Sequence, residues 1–132
     1  MVSRPVIEAL QDALARHPEL ELAIVFGSVG IGAERADSDV DLAVQAAHPL
    51  DAGHKMALVG DFAAATGRAV DLVDLHTVGE PLLGQILTHG RRLRGSDEAH
   101  GRLLSRHLID AADFLPYAQR IVDERRRAWI GR

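Results

Sequence analysis

Two aspartates that lie two residues apart, Asp39 and Asp41, are well placed to do chemistry in this sequence. They begin the stretch DVDLAVQA, whose alternation and β-branched residues predict a β-strand. Residues two apart on a strand project from the same face, about 7 Å from each other. Two carboxylates at that spacing repel each other by about 2–3 kcal/mol at an effective dielectric constant near 20. A divalent cation removes this repulsion, and a set of oxygen ligands favours Mg²⁺ over zinc.

A Gly-Ser pair lies upstream, at the end of another predicted strand. Residues 21–26 form a short apolar run, and Gly27-Ser28 ends it. Backbone N–H groups exposed at such a turn, together with the Ser28 hydroxyl, suit phosphate oxygens, although serine is also a common turn or cap residue. Carboxylates for a metal and a turn for phosphate, one strand apart, indicate a nucleoside triphosphate bound with Mg²⁺.

Length and composition predict a single globular domain. The chain has 132 residues, of which 47% are hydrophobic and 26% charged. The net charge of −4 argues against a broad basic surface, so we expect no direct nucleic-acid binding. Without cysteine the chain has no disulfide or thiolate site, and its seven histidines show no metal-binding spacing. The first residues, MVSRPVIEAL, lack the long apolar core of a signal peptide, and no apolar run approaches 18 residues, so we expect a cytoplasmic protein without a membrane span.

The rest of the sequence predicts helices and strands that alternate along the chain. We expect strands over 21–26, 39–46 and 69–75, and helices over 6–16, 28–32, 51–66 and 81–89. Gly90 is the expected C′ residue, RRLRG predicts a short edge strand, and a long helix starts at Ser96 and breaks or kinks at Pro116. This order predicts an α/β (α+β) fold, a small mixed β-sheet backed by α-helices with a long C-terminal helix.

The ordered motifs resemble those of the nucleotidyltransferase superfamily that shares a DNA polymerase beta-like palm. A strand is followed by Gly27-Ser28, ten intervening residues and Asp39-x-Asp41, and a later strand, RAVDLVDL, supplies Asp71. The resemblance implies that Gly27 and Ser28 bind the triphosphate. It also implies that Asp39, Asp41 and Asp71 are catalytic and hold Mg²⁺, and that Asp71 helps to deprotonate the attacking hydroxyl.

Two features near these motifs qualify the resemblance. Asp74 lies three residues after Asp71 on the opposite face of the strand, and we expect it to be solvated or to stabilise a loop. Many members of the family carry an arginine three residues after the serine, where this sequence has Ile31. That departure removes one phosphate or acceptor contact, which Arg35 in the same loop either replaces or leaves unfilled.

A closer resemblance covers essentially the whole chain. The stretches FGSVGIGAERADSDVDLAV, AVDLVDL and PLLGQILTHGRRLRGSD, with the final long helix, are similar to the minimal nucleotidyltransferases of the MntA antitoxin type. This implies ATP as co-substrate and a HEPN-domain ribonuclease toxin of the HepT type as partner, in a hetero-oligomer. AMP would be transferred to a tyrosine near the toxin's active site and would neutralise the toxin.

The resemblance divides the single domain, residues 1–132, into two parts. We expect the palm to occupy 1–95 and the helical segment 96–132 to remain for a partner. The basic-aromatic end of that segment, 125–129, is either a solvated helix face or part of the docking surface. Two other functions stay open: transfer to a small hydroxylated acceptor such as an antibiotic, and an antitoxin that acts by binding alone.

Overall fold

The computed structural model describes residues 3–30, 32 and 38–130. Its elements follow one another as α1 (Ser3–Ala15), β1 (Leu22–Phe26), α2 (Gly27–Gly30), β2 (Val40–Gln45), α3 (Ala52–Thr66), β3 (Val70–Asp74), α4 (Leu82–His89), β4 (Arg91–Arg94) and α5 (Asp97–Ile130). The predicted fold class is confirmed, and each expected element is found with its ends shifted by a few residues. Ile31 and Arg35 lie outside the described residues.

The four strands form one mixed sheet in the order β3-β2-β1-β4. Strand β1 pairs antiparallel with β2 and β4, whereas β2 and β3 are parallel. The predicted edge strand is therefore confirmed as β4. The registers place Phe26 opposite Asp41 and Asp41 opposite Asp71, so these three residues form one row across the sheet.

Helices cover both faces of the sheet, and each face has its own hydrophobic core. Helices α1 and α3 cover one face, where Leu10, Leu14 and Phe62 are fully buried. Helix α4 and the start of α5 cover the other, through Leu83, Ile86 and Leu103. Alternate residues of each strand enter alternate cores, as strand geometry requires. This alternation puts the row of Asp41 and Asp71 on the α4–α5 face.

The expected capping residues are found at two helix starts and at one helix end. Asp51 accepts the N–H of His54 at 2.7 Å at the start of α3, and the Ser96 hydroxyl accepts the N–H of Ala99 at 3.0 Å at the start of α5. Gly90 directly follows the last residue of α4, as expected, and its backbone is extended, with φ −76° and ψ 160°. The glycine is needed there for space, because a Cβ would lie 2.3 Å from the carbonyl oxygen of Ile86.

Helix α5 is longer and less buried than the sequence indicated. It continues through position 116, so the expected break at Pro116 is wrong. A proline removes one backbone hydrogen bond, while the flanking segments are each several turns long and propagate the helix on both sides. Leu108 is 67% exposed and Val122 50% exposed, so an apolar part of α5 faces away from the sheet. No helix in the described part of the chain is long and apolar enough to cross a membrane.

Candidate active site

Three aspartates meet at one end of the sheet. Asp41 faces Asp71 across the parallel β2–β3 pair, and neighbouring strands lie about 4.8 Å apart. Asp39 comes two residues before Asp41 and shares its face. The pKa of the Asp41 carboxyl is raised, first by its partial burial and then by the negative charges of Asp71 and Asp39. The structure thus brings together the three carboxylates that the sequence singled out.

The Gly27-Ser28 turn lies directly against this cluster. Gly27 has φ +67°, a left-handed conformation in which the chain leaves β1 and enters α2. A Cβ at Gly27 would lie 2.3 Å from Oδ2 of Asp41, so the backbone of the turn can approach the carboxylate only because there is no side chain. Ser28 is half-buried, and its hydroxyl makes no hydrogen bond with the residues that the structure describes.

Asp74 is separate from the cluster, as strand alternation predicted. It is only 7% exposed and lies with the core on the opposite face. Its carboxylate accepts the backbone N–H of Leu50 at 2.8 Å and that of His76 at 2.9 Å. Asp74 therefore joins the end of β3 to the loop that follows β2, and its loop-stabilising role is confirmed.

A cavity of about 550 Å³ opens beside the carboxylates. Three of its lining residues come from the sheet end and its turn, and three from α4: Phe26, Gly27, Asp41, Leu82, Gln85 and His89. The α4 residues were not identified from the sequence as site residues. Their spacing of three and seven residues, which places them on one helix face, was the only local signal that could have found them.

Arg106 of α5 holds the chain segment that leads into α4. One guanidinium nitrogen donates to the carbonyl oxygen of Leu75, and the other donates to that of Val78 at 2.9 Å. Hydrogen bonds from a charged donor are stronger than those between neutral groups. The α4 residues that line the larger cavity form what we call the α4 wall: Leu82, Gln85 and His89. The position of this wall therefore depends on a side chain of α5.

A second contact joins α5 to α4 itself. His107 Nδ1 bonds to the carboxylate of Glu80, which is 6% exposed. The other oxygen of Glu80 accepts the N–H of Gly84 at 3.2 Å, inside the first turn of α4. A smaller cavity of about 400 Å³ lies between the two helices, and Gln85 and His89 border both cavities.

The donor set at the sheet end suits a hard divalent cation. Carboxylate oxygens are the ligands that Mg²⁺ prefers. The pKa of Asp41 is raised by burial and then by two neighbouring carboxylates, and a bound cation would favour its ionised form. Within the described residues, no group of three acidic, histidine or cysteine side chains is arranged so that it could hold a metal ion by itself. The carboxylates at the sheet end would therefore hold a cation only together with further ligands.

Comparison with known proteins places the chain among nucleotidyltransferases. The model of the polymerase beta nucleotidyltransferase family matches residues 8–99. Over 93 residues the chain is 37% identical to the protein adenylyltransferase MntA of Shewanella oneidensis, a match that covers 70% of this chain and 65% of that protein. The chain thus spans just under two thirds of the length of this relative.

Solved structures with the same architecture match almost the whole chain. A crystal structure of a toxin–antitoxin with AMP-PNP superposes with a TM-score of 0.76 at 30% identity, covering 94% of this chain and 98% of the other. The toxin–antitoxin MntA–HepT gives 0.73 at 28% identity, covering 90% and 95%. A tri-AMPylated Shewanella oneidensis HEPN toxin in complex with its MNT antitoxin gives 0.75 at 27% identity, covering 92% and 97%. The expected resemblance to MntA-type antitoxins is confirmed.

Proposed function

We propose that this chain, which belongs to the polymerase beta nucleotidyltransferase family, is a Mg²⁺-dependent protein adenylyltransferase that acts as an antitoxin. It transfers AMP from ATP to a tyrosine of a cognate HEPN ribonuclease toxin and so neutralises that toxin. The observation that carries the proposal is the row of Asp41 and Asp71 with the Gly27 backbone against it. The similarity to an adenylyltransferase and to antitoxins in complex with their toxins supports the choice of acceptor.

Each site residue has a chemical task in this proposal. The backbone and hydroxyl of Gly27-Ser28 bind the β- and γ-phosphates. Asp39, Asp41 and Asp71 hold Mg²⁺, which when bound neutralises the charge that develops on the attacking and leaving oxygens. Partial burial and, after it, the charges of Asp71 and Asp39 raise the pKa of Asp41, and a bound cation would offset that cost of ionisation.

The transfer step is an in-line displacement at the α-phosphorus. The tyrosine oxygen forms a bond to the α-phosphorus, and the bond from that phosphorus to the oxygen bridging to the β-phosphate breaks. Asp71, on the side of Asp41 away from β1, accepts the phenolic proton. The products are the AMP-modified tyrosine and pyrophosphate, so atoms and charge balance.

The C-terminal helix supplies the surface for the toxin. Residues 1–95 contain the proposed phosphate and metal ligands, and α5 as far as His107 packs on the sheet or on α4. The part of the segment 96–132 beyond His107 is therefore left for partner binding. Leu108 and Ile109 are 67% and 64% exposed on α5, and three exposed arginines lie near its end. A partner that covers these apolar side chains fits a lasting hetero-oligomer with the toxin, in the cytoplasm where both would be made.

Transfer of label from ATP marked at the α-phosphate tests this function. A cognate HEPN toxin is purified and incubated with this chain and Mg²⁺, and we expect label on the toxin. Asp41→Asn should abolish labelling, while Asp74→Asn is the matched control that keeps it. Toxin binding without label would instead identify an antitoxin that acts by binding alone, and label on a small hydroxylated acceptor would identify the other alternative.

A further inference from the structure

Asp41 has different surroundings on its two sides, and this difference indicates where the acceptor and the nucleoside bind. Asp71 lies on one side, on the edge strand β3, and the large cavity lies on the other, beside β1 and α4. In an in-line displacement the attacking oxygen enters opposite the leaving pyrophosphate. With pyrophosphate at Gly27-Ser28, the acceptor enters on the side of Asp71. The cavity that touches Gly27 and Asp41 then remains for the nucleoside.

The cavity has the size and lining of a base-binding pocket. Its volume of about 550 Å³ falls within the usual range for small-ligand sites. Phe26 and Leu82 give it apolar surface, and Gln85 and His89 give it polar side chains. Gln85 is exposed, and its amide makes no hydrogen bond with any residue that the structure describes. An amide in that state can turn both its donor and its acceptor toward a ligand.

We propose that the α4 wall binds the adenine base and that Gln85 is the specificity-determining residue that selects adenine over guanine. Along one edge adenine presents an acceptor, N7, beside a donor, the N6 amino group, and the glutamine amide matches both. Guanine presents two acceptors, N7 and O6, along the same edge. The amide N–H can bond to one of them, and the amide oxygen then faces the other acceptor without a hydrogen bond. This inference rests on the proposed function, because it concerns the same nucleotide site.

Contacts behind the wall keep Gln85 in place. The residue before it, Gly84, has its N–H held by Glu80, and Glu80 in turn bonds to His107. A Cβ at Gly84 would lie 2.7 Å from Cε1 of His107, so the two helices touch at this position. The amide of Gln85 is therefore carried by a helix turn that Glu80 and His107 hold against α5, which favours discrimination between bases.

Calorimetric titration with Mg²⁺ and without acceptor tests the inference. The titrants are ATP, GTP and inorganic tripolyphosphate, and the proteins are wild type, Gln85→Met and the control Gln11→Met, which makes the same change on exposed α1. Wild type should bind ATP more tightly than GTP. Gln85→Met should weaken ATP binding about tenfold, the usual size of one bidentate base contact, and leave GTP and tripolyphosphate unchanged. Gln11→Met should change none of the three.

The other outcomes overturn the inference in distinguishable ways. If wild type binds ATP, and the Gln85→Met variant binds both ATP and GTP as tightly as wild type does, the base binds elsewhere and the proposed function stands. If tripolyphosphate binding falls together with ATP binding, Gln85 acts on the phosphates or the fold instead of the base. If wild type binds neither ATP nor tripolyphosphate, the proposed function fails and this inference fails with it.

Discussion

Phe26 and Asp41, which belong to the row across the sheet, and the α4 wall line the same cavity, but the row and the wall are held by different contacts. Phe26, Asp41 and Asp71 sit on three paired strands, so backbone hydrogen bonds fix their spacing. The wall lies on an eight-residue helix whose position depends on Arg106 and His107 from α5. One side of the site is therefore positioned by the sheet, and the other by side chains of the helix that is free to meet a partner.

Because of this difference, we expect the row and the wall to have different roles in the reaction. A row that keeps its geometry against the mutual repulsion of its carboxylates suits chemistry, which tolerates little displacement. The helix of the wall packs on the sheet through Leu83 and Ile86, but its links to Arg106 and His107 couple it to α5, so it can shift when α5 binds another protein. Mutations in the row should therefore affect the chemical step, and mutations behind the wall should affect nucleotide affinity.

The largest effect is expected from removing a charge of the row. Asp41→Asn should lower transfer more than 100-fold, since even loss of a residue that supports a metal ligand costs 10- to 100-fold. It should also abolish the rise in melting temperature that Mg²⁺ with ATP gives the wild type. Scanning calorimetry with and without Mg-ATP measures the second effect. If Mg-ATP leaves the melting temperature of the wild type unchanged, the assignment of the site is contradicted.

The two aspartates of β3, Asp71 and Asp74, test whether the strand face on which a carboxylate lies decides its role in transfer. Asp71→Asn should remove transfer without lowering stability, because its carboxylate makes no hydrogen bond with the described residues and its charge repels that of Asp41. Asp74→Asn should keep most transfer but lose about 1 kcal/mol of unfolding free energy, because one of two buried N–H groups loses its acceptor. Transfer assays beside urea unfolding would show both. Equal loss of transfer in the two variants would mean that the face assignment is wrong.

The same contrast explains which parts of the site could be read from the sequence. Asp39, Asp41 and the Gly-Ser turn follow from strand alternation and from a short motif, both of which are local. The contacts of Arg106 and His107 join residues that are 31 and 27 positions apart in the sequence, and no local sequence pattern predicts them. Pro116 illustrates the opposite error, because a local rule predicted a break and the long helix overrode it.

Arg106 tests the claim that α5 holds the wall. Arg106→Gln loses charged hydrogen bonds to the carbonyl oxygens of Leu75 and Val78, so we expect a loss of about 2 kcal/mol in stability and a raised KM for ATP. The rate at saturating ATP should change less. Arg102→Gln is the matched control on the same helix, because among the described residues Arg102 pairs only with Glu98, in an exposed ion pair. An equal effect in both variants would show that only the charge of α5 matters.

A smaller effect concerns the pH dependence of stability. The folded state raises the pKa of Asp41 above 3.8, so the folded protein binds this proton more tightly than the unfolded chain. Asp41 therefore costs stability once it ionises. Without metal, Asp41→Asn should be more stable than wild type by roughly 0.5–1 kcal/mol at pH 7, the size of a cross-strand charge effect. The gap should close as the pH falls through the raised pKa toward 3.8, and a gap that persists at pH 3 would contradict this origin.

The smallest effect is expected from the end of α5, far from both sides of the cavity. Changing Arg125, Arg126 and Arg127 to glutamine takes the net charge from −4 to −7 and removes three exposed cations. Charges at the rim of an interface steer encounter more than they hold the complex, so association with an acidic toxin surface should slow a few-fold at low salt. The dissociation rate and ATP affinity should stay as in wild type. Surface plasmon resonance at two salt concentrations tests this: the rates of variant and wild type should converge at high salt, and an equal deficit at both would place these arginines inside the interface.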